Sequence, residues 1–264
     1  MSTLTLTLAA RDSSTMLRRN LLHMRRYPSL TFMLVGIPVI LLLLFVYVFG
    51  GTLGAGLGPS GDRADYANYV TPGILLITVA SVAQGTAISV AMDMTEGIIA
   101  RFRTMAIFRP SVLTAHVLGS LIQALLSLAA VTGVALLVGF RPNSTAIEWI
   151  AAIGVLAMIT FAVTWLSVAL GLVTKSVETA SNLPMPLVLL PFLGSGFVPT
   201  DSMPTPVRWF ADHQPFTPVM ETLRGLFFGT GIGSNAIEAV AWCAAISVVC
   251  FFWAKALYNR DPSA

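Results

Sequence analysis

The stretch LTFMLVGIPVILLLLFVYVF, Leu30–Phe49, runs for 20 residues without a charged side chain. An α-helix rises about 1.5 Å per residue, so about 20 residues cross a hydrocarbon core about 30 Å thick. The pattern recurs along the chain: Val70–Met92, Pro110–Phe140, Trp149–Thr174, Thr179–Thr200 and Ala239–Ala254 are also free of charge. The last of these is short, but Glu238 and Lys255 can reach outward from its ends and extend it. Charged residues make up only 10% of the 264 residues, where a water-soluble domain needs about 25% to solvate its surface. With 56% hydrophobic residues and a mean hydropathy of +0.82, soluble, disordered and nucleic-acid-binding classes are excluded.

The spans are helices, not strands. Barrel strands alternate in polarity over about ten residues, whereas Leu41–Val46 and Leu187–Leu190 are continuous apolar runs. The expected fold is an all-α integral membrane protein forming one transmembrane domain over residues 1–264. It has six spans, at about 30–49, 70–92, 112–138, 149–173, 181–199 and 238–256. Gly50–Pro59, rich in glycine, is expected to be a loop, because glycine destabilises helix interiors.

With six spans both termini share one side, and the basic residues can be sorted. Eleven fall on the side of the termini: Arg11, Arg18, Arg19, Arg25, Arg26, Arg101, Arg103, Arg109, Lys175, Lys255 and Arg260. Four fall opposite: Arg63, Arg141, Arg208 and Arg224. Loops enriched in Lys and Arg stay in the cytoplasm, so both termini are predicted to be cytoplasmic, with the chain in the cell (inner) membrane. The basic stretch before the first apolar run reads as the flank of a retained helix, since that run is as long as a full span, longer than the about 7–15 apolar residues of a secretory signal.

Residues 12–27 form a candidate amphipathic helix. Arg18, Arg19, Arg25 and Arg26 make one basic stripe, while Leu17, Leu21 and Met24 lie on another face, which suits the headgroup plane of an anionic inner leaflet. Pro28 ends it. On the opposite side of the membrane, residues 204–230 are too polar to span and too apolar for water. Trp209, Phe210, Phe216, Phe227 and Phe228 alternate with Arg208, Asp212, Glu221 and Arg224. Broken by Pro215 and Pro218 and closed by Gly229 and Gly231, this stretch is expected to be a short helical hairpin dipping into the outer leaflet.

Catalytic signatures are missing from the sequence. No Gly-Lys pair exists to build a phosphate-binding loop, and no His-Glu-x-x-His, Cys-x-x-Cys or Gly-x-Ser-x-Gly occurs, so the chain is not read as an enzyme. Cys243 and Cys250 lie seven residues apart on one helix, about 10 Å along its axis, too far for a disulfide. Gln84, His116, Gln123 and Trp165 are the polar candidates within spans. His116 is expected near the inner interface, partly hydrated, in a structural role. Without a chain of acids or histidines through the membrane, proton-driven antiport is disfavoured.

The loop from Asp93 to Pro110 places Asp93 and Glu96 first and Arg101, Arg103 and Arg109 last, matching the dipole of a short helix at both ends. Ile98, Phe102 and Met105 give that helix one apolar side, a compact surface for a cytosolic partner.

This loop resembles the D-x-x-x-G-x-x-x-R-F-R-x-x-x-I-x-R signature of ABC type-2 transporter permeases of the daunorubicin-resistance kind, through Asp93, Gly97, Arg101, Phe102, Arg103, Ile107 and Arg109. Three further matches follow in the family's order. Tyr66–Ile74 is similar to its Y-x-x-Y/F-x-x-P-G-I approach to the second span. Gly196–Pro204 resembles its F-V-P-x-x-x-M-P segment, and His213–Pro218 with Leu223-Arg224-Gly225 resembles its Q-P-x-T-P…L-R stretch. The family usually has Pro where Ala106 stands. The likeness covers residues 10 to 258.

The resemblance implies the permease subunit of an ATP-driven exporter. Such a subunit pairs with a second permease, identical or related, and is driven by two copies of a cytosolic ATPase subunit. ATP and magnesium belong to that ATPase, and this chain binds no cofactor or metal. Asp93, Glu96, Gly97, Arg101, Phe102, Arg103 and Arg109 would then couple to the ATPase, and residues 12–27 would be the connecting helix on membrane lipid. Trp209, Gln214, Pro215, Pro218 and Arg224 would belong to the re-entrant element closing the pathway outside. Spans offering Met, Phe, Trp, Ser and Thr but almost no charge favour an apolar or amphipathic cargo, a drug, antibiotic or lipid-like molecule. The alternative is a stand-alone secondary transporter or channel of six helices.

Overall fold

The computed structural model describes residues 15, 17–18, 28–57, 62–97, 110–174 and 176–258. All regular structure among them is helical. Helix α1, Pro28–Leu43, continues through a π-helical turn, Leu44–Phe49, into α2, Gly50–Ala55. Three long helices follow: α3, Arg63–Thr95; α4, Pro110–Val138; and α5, Ala146–Val173. Next come α6, Val177–Asn182, and α7, Met185–Leu189, with a 3-10 turn at Leu190–Leu193. After a second such turn at Thr200–Ser202, the chain ends in α8, Thr205–His213; α9, Phe216–Phe228; and α10, Asn235–Tyr258.

Among the described residues five stretches are long and apolar enough to cross a membrane: Phe32–Ala55, Arg63–Thr95, Val112–Val138, Ala146–Val173 and Asn235–Tyr258. The fifth expected span, 181–199, is not one helix. Pro184, Pro186 and Pro191 each lack an N–H and in a continuous helix would clash with the preceding turn, so each stands at the start of a new piece and the apolar run is cut into α6, α7 and a 3-10 turn. Hydropathy alone counted those prolines as ordinary apolar residues.

The ends of two spans also move outward, for a shared reason. Helix α3 begins before Val70 because Asp62 and Asp65 form a reciprocal capping box, with Asp62 Oδ1 accepting from Ala64 N–H at 2.8 Å and Asp65 N–H at 2.9 Å. Thr145 and Glu148 do the same for α5, where the Thr145 N–H donates to Glu148 Oε2 at 2.6 Å. Charges that bound the uncharged runs thus serve as caps inside the helices. The glycine-rich stretch is corrected too: Gly50–Ala55 is helical and packs on the start of α3. A Cβ at Gly54 would lie 2.3 Å from the Asp62 carbonyl oxygen, so glycine permits a contact that offsets its poor helix propensity.

Helix α3 is the centre of the bundle. It packs against α1, α4, α5 and α6, while α10 lies on the far side of α5 and beside α9. Its Val70, Ile74, Leu75, Leu76, Ile77 and Val79 are fully buried. By contrast α1 and α10 expose large apolar side chains such as Phe32, Ile40, Trp242 and Phe252, a surface that lipid or a second subunit can cover. Two close backbone approaches fix α3 to its neighbours. A Cβ at Gly171 would lie 2.7 Å from the Ala87 carbonyl oxygen, and one at Gly73 would lie 2.8 Å from the Gly196 carbonyl oxygen.

Of the amphipathic helix expected at 12–27, Thr15, Leu17 and Arg18 are described; all three are helical and Arg18 is exposed. Arg19, Arg25 and Arg26 lie outside the described residues, as do Arg101, Phe102, Arg103 and Arg109.

The glycine contacts yield a paired prediction. Gly73→Val overfills a backbone contact and should lower stability by about 1–3 kcal/mol. Gly154→Ala, whose new Cβ meets no atom within 4 Å, should be neutral or stabilising by up to about 1 kcal/mol. Thermal unfolding of both variants in the same detergent checks the contrast.

Candidate functional site

The broken segment after α5 poses a problem that an intact helix does not. Its interrupted backbone leaves carbonyls without helical partners, and at membrane depth each unmet polar group costs several kcal/mol. Side chains from the neighbouring helices supply the missing donors. Gln84 of α3 donates from Nε2 to the Ser181 carbonyl at 2.6 Å, and Gln214 donates from Nε2 to the Leu190 carbonyl at 3.2 Å. The Tyr66 hydroxyl donates to the Phe197 carbonyl at 3.2 Å. Arg224 of α9 donates from Nη2 to the Ser195 carbonyl and from Nη1 to Ser195 Oγ at 3.2 Å.

These contacts also give the segment a direction. Its residues run from Ser181 beside Gln84 to Gly196 beside Gly73, so it ascends antiparallel to α3. Those positions on α3 are eleven residues apart, about 16 Å along the axis.

Arg224 is the most connected of these side chains. It also donates from Nη2 to the Tyr69 carbonyl at 3.2 Å, and its guanidinium lies 3.9 Å from the centre of the Tyr69 ring. Nη1 meets Glu221 Oε1 at 2.5 Å, one turn away on α9. One planar cation thus joins α9, α3 and the turn at Ser195, using the fork geometry and ring stacking that distinguish Arg from Lys.

The remaining residues expected at the outer element divide by exposure. Helix α9 is buried and, at 13 residues, too short to span. Pro215 and Pro218 occupy its first turn, where a missing N–H is no loss. Gln214, at the junction of α8 and α9, is buried and also donates to Thr217 Oγ1 at 3.1 Å. Helix α8 is amphipathic and exposed, with Trp209 64% accessible and stacked on His213 at 4.8 Å. Arg208 pairs with Asp201 at 2.5 Å across this exposed surface, a contact worth no more than about 1 kcal/mol. Gly229, with φ of +67°, ends α9, and the Phe227 carbonyl accepts from the Asn143 N–H at 2.9 Å and from Ser144 Oγ at 3.1 Å.

At the other end of α3, Asp93 and Glu96 part company. Glu96 is exposed, and Gly97 turns the chain with φ of +70°. Asp93 is buried, and its Oδ2 lies 3.0 Å from Nε2 of His116 on α4, itself 6% exposed. His116 is therefore not a partly hydrated interfacial residue but half of a buried polar pair. Sequence spacing gave no sign of this, because the partners are 23 residues apart on different helices.

Between α4, α5 and α10 lies an open groove of about 400 Å³, within the range of small-molecule sites. Phe161, Trp165, Phe251 and Phe252 dominate its wall, and Thr114 and Ser247 add hydroxyls. Trp165 and Phe251 meet edge to face at 5.0 Å. Among the described residues no cluster of His, Cys, Asp and Glu could hold a metal ion.

Long apolar helices packed around a short buried helix define a multi-pass membrane protein. Residues 12–228 match the family described as ABC-2 type transporter, and the chain belongs to that family as the membrane subunit of an ABC exporter. It is 29% identical over 218 residues to the "Daunorubicin resistance ABC transporter permease protein DrrB1" of Streptomyces coeruleorubidus, covering 82% of this chain and 75% of that one. It is also 25% identical over 213 residues to the "Probable doxorubicin resistance ABC transporter permease protein DrrC" of Mycobacterium tuberculosis, covering 80% and 76%.

Removing the guanidinium tests its place in this site. Arg224→Met should cost about 2–3 kcal/mol, the range for hydrogen bonds to a charged group, while Tyr66→Phe, losing one neutral bond, should cost about 1 kcal/mol. Arg224→Lys should recover only part of the loss. Melting temperatures of the four proteins in one lipid nanodisc give the ranking.

Proposed function

We infer that this chain moves an apolar or amphipathic compound out of the cytoplasm or inner leaflet, driven by a separate cytosolic ATPase. The observation that carries this reading is the family match over residues 12–228, on a chain without a phosphate-binding loop. ATP and magnesium act on two copies of the ATPase, and a second permease, identical or related, completes the pathway. No cofactor is assigned to this chain.

The cargo class rests on two supports. The relatives named above carry daunorubicin and doxorubicin resistance in their names, and the groove between α4, α5 and α10 offers aromatic and aliphatic walls with few polar groups.

The chain crosses the membrane six times in this reading, the fifth crossing being the broken stretch through α6 and α7. Its antiparallel course along α3, from Gln84 to Gly73, supports that count, and six crossings with the basic ledger put both termini in the cytoplasm. Residues 93–109 form the element that engages the ATPase, through Glu96, Arg101 and Arg103 above all, and residues 12–27 lie in the inner headgroup plane. Helices α8 and α9 form the re-entrant element at the outer end, with Trp209 at the interface and Arg224 holding α9 in place.

The exporter reading predicts that the chain purifies with an ATPase subunit. Replacing Glu96, Arg101 and Arg103 by Ala should abolish the permease-dependent stimulation of ATP hydrolysis by at least tenfold. Unchanged stimulation, with transport by the chain alone, favours a stand-alone carrier. For topology, a Cys at Gly58 should label from outside and one at Ala100 only from within; the reverse pattern overturns the orientation.

A further inference from the structure

Two buried polar contacts join α3 to α4 near their inner ends. Asp93 Oδ2 lies 3.0 Å from His116 Nε2, and Thr86 Oγ1 lies 2.6 Å from Ser120 Oγ. Asp93 is two residues from the last residue of α3, and His116 lies six residues into α4. The pair therefore closes the base of the connection that leaves α3 at Gly97 and re-enters the bundle at Pro110. Both partners are buried at the rim of an apolar bundle, where an ionisable group without its partner is costly. Apolar contacts alone would bury these surfaces while allowing the two helices to slide. A short polar contact sets one register.

The same region is tied to the rest of the bundle. Gly171 of α5 approaches the backbone at Ala87, and Val90 packs beside it. The groove begins one turn away, with Thr114, Val117 and Leu118 of α4 on its wall, on either side of His116. A displacement of the connection thus passes through His116 directly to one wall of the groove.

We propose that the Asp93–His116 pair is a positioning clasp: it holds both stems of the 98–109 connection as one body, so that work received there moves α4 against the groove. The role in transport rests on the exporter reading, whereas the clasp itself rests on the contact between the stems. Asp93 acts by turning inward to α4 at the base of the coupling element. The exposed acidic residue at this end of α3 is Glu96.

The test uses the full chain with its ATPase subunit. Amide hydrogen exchange is followed at residues 94–97 and 113–117 in lipid nanodiscs, and ATP-driven doxorubicin uptake is measured in inside-out vesicles. His116→Ala and Asp93→Ala should speed exchange in both stems at least tenfold. Both should lower uptake per ATP at least tenfold, and His116→Ala, which lies outside the coupling element, should keep ATP hydrolysis within about twofold. His116→Gln, which retains a donor for Asp93, should restore uptake per ATP to within about threefold of wild type. Unchanged exchange in the Ala variants overturns the clasp. Faster exchange with unchanged uptake per ATP, or uptake lost only in proportion to the amount of complex, overturns its part in coupling. A wild-type complex that hydrolyses ATP without driving uptake counts against the exporter reading for this cargo, and the exchange arm still decides the clasp.

Discussion

The constraint on which this structure depends is that a broken backbone inside a membrane must find hydrogen-bond partners away from its own helix. Three prolines in the stretch Pro184–Pro191 make that unavoidable. The carbonyls of Ser181, Leu190, Ser195 and Phe197 are met by Gln84, Gln214, Arg224 and Tyr66. Of these four side chains Tyr66 and Gln214 are buried, and Gln84 and Arg224 half-buried. Each also draws a neighbouring element onto the broken segment, so satisfying the backbone and assembling this half of the bundle are the same event.

Helix α3 is the common member of these contacts. Its N-terminal half carries Tyr66, Tyr69 and Gly73 against α9 and the Ser195 turn, and its C-terminal end carries Asp93 against α4. At 33 residues it extends about 50 Å, longer than a bilayer core, so its polar ends reach both interfaces. A buried, rigid helix bonded at both ends can relate events on the two sides of a membrane as a body. The exposed helices α1 and α10 offer their apolar faces outward.

Much of this was legible along the chain. The uncharged runs located five long helices because lipid tolerates nothing else at that length, and the motif around Arg224 fell on the most connected side chain of α9. Misreadings had local causes. The second and fourth spans looked shorter than they are because Asp62 and Glu148, just outside the uncharged runs, are capping residues, and a helix N-terminus needs acceptors. Gly50–Ala55 looked like a loop because propensity says nothing of the Asp62 backbone that packs on Gly54. The fifth run looked like one unbroken helix because hydropathy is blind to the missing proline N–H.

The sequence by itself determined that this protein lives in lipid, that it is helical, and that its charges gather at the ends of its spans. These follow from solvation energies summed over local windows, and any chain with this pattern would share them. Only the tertiary structure decided which partner each polar side chain takes. Arg224 meets Tyr69 and Asp93 meets His116 because helices distant in sequence pack side by side. In an apolar medium a polar group's partner is set by that packing geometry, and spacing along one chain does not encode it.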